Sequence, residues 1–303
     1  MRARAFAKIN RSLRVLGTRA DGFHELRTIF QSIALHDTLT IRSIPGPFRL
    51  TCNDPACPVD ETNLVARAAA RMWTAAGRRG AMRGVAIDLR KRIPMQAGLG
   101  GGSSDAAAAL RALANRWRVG DASIRTAAAA LGADVPYFLE GGSVLGLERG
   151  DLLFPLLDPP PAWVVIVLPD FGVSTKEAFG WFDGDGARGL QPGVSARGRE
   201  RAVPAVARRL QPSARRSLAR QDTGNDLEVP VIARHPEIGR IISALRRAGA
   251  SQAAMSGTGS AVFGLFSSRP SAAAAAKQLA SRSRRTLVTK TLNRQNYQTL
   301  AAM

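Results

Sequence analysis

Cysteine, histidine, tyrosine and acidic side chains are all scarce in this chain. Of its 303 residues, two are cysteine, two tyrosine and three histidine, and 23 acids face 43 lysines and arginines. Cys52 and Cys57 share one short stretch, CNDPACP, with no second cysteine or histidine pair near by to complete a zinc site. Two thiols build no disulfide framework, so free thiols in a reducing compartment, the cytoplasm, are expected. No apolar run approaches the roughly 20 residues of a membrane helix, and no membrane association is expected.

The shortage of acids leaves a net charge of +20. Much of the excess lies in Ala187 to Gln221, where Glu200 is the sole acid. Aromatic residues are also missing there, so the segment offers no platform on which bases stack. The reading favoured is a solvated, arginine-biased surface, with no specific nucleic-acid partner; the charge also steers polyanionic substrates inward. The first twenty residues have the arginine-rich, acid-poor composition of a transit peptide. ARAFAKI patterns as a strand, and a place in the folded chain is expected for it instead.

Glycine is clustered. In PMQAGLGGGSSDAAAAL, Pro94 to Leu110, four glycines fall within five residues. Before them, GVAIDLRKRIP alternates Val85, Ile87 and Leu89 with small or polar residues and reads as a strand stopped by Pro94. After them, SSDAAAALRALANRW reads as a helix, with Ser103 or Ser104 as its N-cap and Asp105 in its first turn. A strand, a glycine loop and a helix N-terminus bring unpaired N–H groups and partial positive charge together at a phosphate site. The P-loop lysine is absent, and the dinucleotide pattern fails because Ser103 stands at the sixth position from Gly98. A flexible hinge is the alternative. Asp105 repels a phosphate unless it points away.

The rest of the chain alternates strands and helices, including ETNLVARAAARMWTAAG with Thr62 or Asn63 at its cap, and HPEIGRIISALRRAG ending at Gly249. SQAAMSGTGSAVFGLF is a second glycine turn leading into a strand, and the strand TLVTKTL finishes the chain. DPPPAW, Asp158 to Trp163, is the best boundary, because three prolines fit neither a helix interior nor a central strand. The expected fold class is α+β in two domains, 1–157 and 158–303.

Three places could carry chemistry. Lys8 and Asn10 lie two apart in AFAKIN, on one strand face, as an anion or hydroxyl site or as an edge lysine facing solvent. Phe23 and His24 follow the Asp21-Gly22 turn and suit a flat ring, or are turn residues without a role. Asp134, in LGADVPYFL, is a carboxylate that deprotonates a hydroxyl or merely caps a helix.

Taken together, PMQAGLGGGSSDAA and SGTGSAVF resemble the two glycine motifs of the GHMP kinases. AKIN, GTRADGFHEL, TIFQSI, ETNLVARAA, LGADVPYFL and NDLE resemble one branch of them, whose members phosphorylate the 2-hydroxyl of a cytidyl diphosphate-linked methylerythritol in the non-mevalonate isoprenoid pathway. The resemblance runs from about Ala5 to Phe266. It implies an N-terminal domain like the second domain of ribosomal protein S5, a C-terminal α/β sandwich and an active site in the cleft between them. It implies ATP with Mg²⁺ as cofactor, with Ser104 a candidate metal ligand. By position, Lys8 and Asp134 match the catalytic pair. Pro94, Met95, Gln96, Ala97, Gly98, Leu99, Gly100, Gly101, Gly102, Ser103 and Ser104 match the ATP-phosphate loop, and Asn63 and Lys91 match positions near the nucleotide. Asn10 and His24 match substrate contacts, and Phe23 and Phe179 match aromatics that sandwich the cytosine, with Thr175 near by. Phe23 replaces a usual tyrosine, Arg11 a usual apolar residue, and Gln96 a usual glycine or alanine. Two rivals stand: a GHMP kinase acting on another small alcohol, and a basic nucleic-acid-binding protein.

Overall fold

A computed structural model describes residues 1–186 and 223–302. The arginine-rich stretch 187–221, expected as a solvated surface, lies outside the described residues. β1 (Arg2–Thr18) and β2 (His24–Pro47) form a long antiparallel hairpin. Its turn obeys the Asp-Gly signal: Gly22 takes φ +80°, and the Asp21 carboxylate accepts the Phe23 N–H at 3.1 Å. β2 is long enough for two further partners. Leu26–Gln31 pairs with β5 (Ser143–Glu148), and the stretch from Thr38 to Pro47 pairs with β4 (Arg83–Arg90). β3 (Arg49–Cys52) and β6 (Leu152–Pro155) sit outside β4 and β5. Helices α1 (Leu64–Ala75), α2 (Gly101–Trp117), α3 (Asp121–Leu131) and the short α4 (Tyr137–Glu140) pack on this sheet over a core that includes Leu39, Ile87, Met72 and Leu110.

The second sheet is antiparallel, in the order β11 (Arg284–Lys290), β7 (Trp163–Pro169), β10 (Val262–Phe266), β9 (Gln252–Met255). Around it lie α5 (Thr175–Gly186), α6 (Glu228–Arg234), α7 (Pro236–Arg247) and α8 (Arg269–Leu279). The boundary expected at DPPPAW is where the chain crosses to β7, but the chain then returns twice. β8 (Gly224–Asn225) pairs in parallel with β1. After β11 the chain does not end but continues into α9 (Arg294–Ala302), whose Tyr297 packs on Phe6 and donates its hydroxyl to the Phe138 carbonyl at 2.6 Å. A cut at 157/158 would strip β8 and α9 from the first sheet.

Strand β4 ends at Arg90, before Pro94. The reason is local: the Lys91 amide turns to Asn53 Oδ1, and the Arg92 and Ile93 amides turn to Asp37 Oδ1, so the chain leaves the ladder before the proline.

One irregularity in β1 positions the chemistry. Ala3 and Ala5 face the helices and Phe6 faces α9. Continued alternation would put Ala7 and Ile9 among the helices and aim Lys8 and Asn10 away from them. A register shift between Phe6 and Lys8 reverses the parity. Ala7 and Ile9 now join Val164, Ile166 and Phe263 in a core shared by the two sheets, while Lys8 and Asn10 face the α2 side.

Candidate active site

The glycine loop runs from β4 to α2, and each glycine meets a different demand. A Cβ on Gly98 would lie 1.9 Å from the Ser256 carbonyl oxygen, so only glycine lets the loop touch the SGTG turn of the other half. Gly100 takes φ +70°, and its Cβ would strike the Phe138 ring at 2.7 Å. Gly102 is open: its Cβ would meet nothing closer than Leu64 Cδ1 at 3.8 Å. The loop is pinned from behind by Lys8 N–H to Leu99 O (3.0 Å) and by the Ser256 hydroxyl to Gly98 O (2.9 Å).

The serine N-cap is corrected. The helix begins at Gly101, its cap is Gly100, and no side chain closes the terminus. The Ser104 hydroxyl donates to Phe6 O at 2.7 Å, its N–H goes to Gly100 O, and the residue lies behind the loop, outside the cleft lining. A hydroxyl cap would occupy an amide that a glycine cap leaves open. The amides of Gly101, Gly102 and Ser103 thus start a helix at the cleft with the positive end of its dipole.

Asp105 lies just past the first turn of α2, not within it, and it does point away from the loop. Lys91 Nζ stands 2.7 Å from Asp105 Oδ2 and 2.5 Å from Asp37 Oδ2, all three side chains being buried. One cation thus serves two buried carboxylates. Burial pushes the Asp105 carboxyl up, to about 8. Burial pulls Lys91 down, but Asp105 and Asp37 outweigh it and hold the ammonium above its ordinary value. Lys91, expected near the nucleotide, lines the cleft with its ammonium committed to this cluster. Asn63 is also bound locally. Its Oδ1 accepts the Val65 N–H and caps α1, and its amide donates to Pro58 O at 2.5 Å.

Lys8 is 4% exposed on an inner strand, which rules out a solvent-facing edge lysine. Its Nζ donates to Asn10 Oδ1 at 2.6 Å and stands 3.5 Å from Asp134 Oδ2. The Asn10 amide donates to Thr28 Oγ1 at 2.7 Å, and Thr28 donates on to Ser12 O, so Asn10 is oriented with its carbonyl toward the lysine. Asp134 sits in the turn between α3 and α4 with its side chain 34% exposed to the cleft. It caps neither helix: Gly132 follows α3, and α4 starts without a side-chain cap. The arrangement holds an ammonium and an accessible carboxylate side by side in front of an uncapped helix.

At the far end of the cleft, Phe23 is 57% exposed with the Arg149 guanidinium 5.5 Å over its ring. Phe179, expected to sandwich the cytosine with Phe23, also lines the cleft. The Phe179 ring is covered by the His24 imidazole, stacked at 4.5 Å and 18°. His24 reaches α5 because the end of the hairpin turn lies against that helix, and Asp183 Oδ1 stands 2.8 Å from its Nε2. Thr175 opens α5, with its hydroxyl 3.5 Å from that of Thr258. Pro94, Met95, Gln96, Ala97 and Leu99 line the cleft with the glycines. Sequence reasoning missed Thr28, Arg149 and Asp183. Only Thr28 carried a signal, in the quoted TIFQSI. The cleft measures about 1440 Å³, more than the roughly 300–1,000 Å³ that hold one drug-sized ligand, so it has room for two.

Residues 63–142 match the pattern of the GHMP kinases N terminal domain, and residues 202–284 match that of the GHMP kinases C terminal. The chain is 41% identical over 291 residues to the 4-diphosphocytidyl-2-C-methyl-D-erythritol kinase of Moorella thermoacetica, covering 95% of this chain and 98% of that one. It is also 41% identical to the same-named kinase of Pelotomaculum thermopropionicum, covering 96% and 98%. A crystal structure of 4-(cytidine 5'-diphospho)-2C-methyl-D-erythritol kinase superposes with a TM-score of 0.75 at 34% identity, covering 96% of this chain and 99% of that one. The mevalonate kinase of L. major, at 17% identity and a TM-score of 0.66 over 97% and 96%, shares the fold.

Proposed function

This chain belongs to the GHMP kinases, in the branch of the 4-diphosphocytidyl-2-C-methyl-D-erythritol kinases, and from that membership we propose how its cleft works. GHMP kinases are ATP-dependent phosphotransferases. The reaction proposed here moves the γ-phosphoryl group of ATP to the 2-hydroxyl of the methylerythritol unit, in the non-mevalonate route to isoprenoid precursors, in the cytoplasm. No helix among the described residues is long and apolar enough to cross a membrane. The observation that carries the proposal is the juxtaposition, in one cleft, of the Lys8–Asp134 pair and the uncapped start of α2.

Phosphoryl transfer asks a protein mainly for positioning and charge stabilisation. The amides of Gly101, Gly102 and Ser103 hold phosphate oxygens without a side chain intervening. The acceptor hydroxyl lies against Asp134, which takes its proton. Lys8, 3.5 Å from Asp134 Oδ2, offers its ammonium to the developing alkoxide. The Thr28–Asn10 hydrogen bond keeps the Lys8 head in place. Phe23, Phe179 and His24 receive the cytosine, and Thr175 stands beside them.

Mg²⁺ belongs to the same proposal. Among the described residues no cluster of three His, Cys, Asp or Glu side chains could hold a metal, and the Ser104 hydroxyl is committed to Phe6. The residues fit an ion bound chiefly through nucleotide phosphates and water, as is common for Mg²⁺, where it would neutralise phosphate charge. The two-domain division at 157/158 stays part of the proposal only as the position of the cleft, since β8 and α9 cross it.

The test is a phosphate-transfer assay with ATP against the cytidyl substrate, mevalonate and homoserine. Turnover of the cytidyl compound alone is expected. Turnover of another alcohol without it would refute the substrate assignment.

A further inference from the structure

Asp183 is a half-exposed acid on α5 with no part in the reaction just described. Its Oδ1 lies 2.8 Å from His24 Nε2, and the side chains are 55% and 11% exposed. The imidazole is held in plane by Phe179 and meets Phe182 edge-on at 6.4 Å and 88°. Both His24 and Asp183 line the cleft. Face and one nitrogen are therefore occupied, and Nδ1 is the polar atom left for a ligand.

An ionised carboxylate only accepts hydrogen bonds, whereas a neutral imidazole has one donor nitrogen and one acceptor. With Asp183 on Nε2, the ring proton belongs there and Nδ1 carries the lone pair. We propose that Asp183 is a positioning residue for base choice, holding His24 in the Nε2–H tautomer so that Nδ1 accepts from an exocyclic amine on the base. The 4-amino group of cytosine is such a donor. Uracil presents a carbonyl oxygen at the same place, and two acceptors would face each other. The inference rests on the cytidyl-substrate reading and adds to it the group that makes the site prefer an amine. A pair whose carboxylate is half-exposed contributes little to folding, so removing that carboxylate leaves the protein folded.

The experiment compares wild type, Asp183→Asn and Asp183→Ala on cytidyl and uridyl forms of the substrate by kcat/KM, with ¹⁵N NMR of the His24 ring nitrogens. Asparagine keeps the shape but also supplies an N–H donor, which permits the opposite tautomer. Wild type should prefer the cytidyl form by roughly 5- to 150-fold, the range for leaving one polar group unsatisfied. Both variants should bring that ratio toward one, and the ¹⁵N shifts should move from the Nε2–H pattern to a mixed one. An unchanged ratio in both variants, or wild-type shifts showing the Nδ1–H tautomer, would overturn the role of Asp183 while leaving the kinase assignment intact. A wild type that does not phosphorylate the cytidyl form overturns the functional reading, and the base-choice role falls with it.

Discussion

Replacing Gly102 by alanine should separate nucleotide binding from folding. The residue is the second of α2, it lies in the cleft, and its backbone is not in the left-handed region. An added Cβ finds its nearest neighbour, Leu64 Cδ1, at 3.8 Å, an ordinary contact. Within a helix, alanine exceeds glycine by about 0.5–1 kcal/mol. Gly102→Ala should therefore unfold no earlier than wild type, with Tm unchanged or raised by about 1–3 °C. The same methyl stands where a phosphate oxygen would approach the first amides of the helix. Hydrogen bonds to a charged group are worth about 1.5–3 kcal/mol each, so losing one should weaken ATP about 10- to 150-fold. Titration calorimetry with a non-hydrolysable ATP analogue, beside a thermal melt, measures both. An ATP affinity within about twofold of wild type in a stable variant would mean that α2 does not hold the triphosphate, and the glycines would revert to a packing device. Gly101 is a poorer probe, because its Cβ would lie 3.0 Å from Ile93 Cγ2 and 3.2 Å from Lys91 Nζ, so a valine there disturbs the Asp37–Lys91–Asp105 cluster as well.

Asp134→Ala should cut turnover by about 10²- to 10⁴-fold and leave ATP binding largely intact; a variant retaining a tenth of wild-type turnover would remove Asp134 from the chemistry. Lys91→Met leaves the buried acids Asp37 and Asp105 without their cation and should cost about 3–5 kcal/mol in a denaturant titration, whereas a loss below about 1 kcal/mol would show the cluster to be solvated. Asp105, with its folded-state value raised to about 8, keeps its proton in the folded protein after the unfolded chain has released it. Its contribution to stability is therefore whole below the ordinary carboxylate range and declines as pH rises toward 8, and stability curves of Asp105→Asn should lack that decline. Phe179→Ala should weaken the cytidyl substrate by about 5- to 150-fold, by the scale of base–aromatic stacking, with ATP affinity little changed; equal losses for both ligands would place Phe179 in the core alone.

Local physics was readable from the chain. Val85, Ile87 and Leu89 alternate into β4, Asn63 caps α1 with its own side chain, and the Asp21-Gly22 turn joins β1 to β2, because each depends on residues within a few positions of one another. The strand–glycine–helix order was likewise legible, although the cap proved to be Gly100 and not a serine. The sequence also held Lys8 and Asn10 on one face, but not which face. A single register shift in β1 decided that, and only the packed sheets reveal it. The pairing of Lys8 with Asp134, the three-way contact of Asp37, Lys91 and Asp105, and the stack of His24 on Phe179 join residues far apart in the chain. So do the returns of β8 and α9 to the first sheet. Such contacts leave no periodic trace, since they arise from strand register and from the burial of whole faces rather than from neighbouring residues. Most elements, their turns and the Asn63 cap were legible in the sequence alone; the assembled cleft belongs to the tertiary structure, which brings together side chains that no local rule connects.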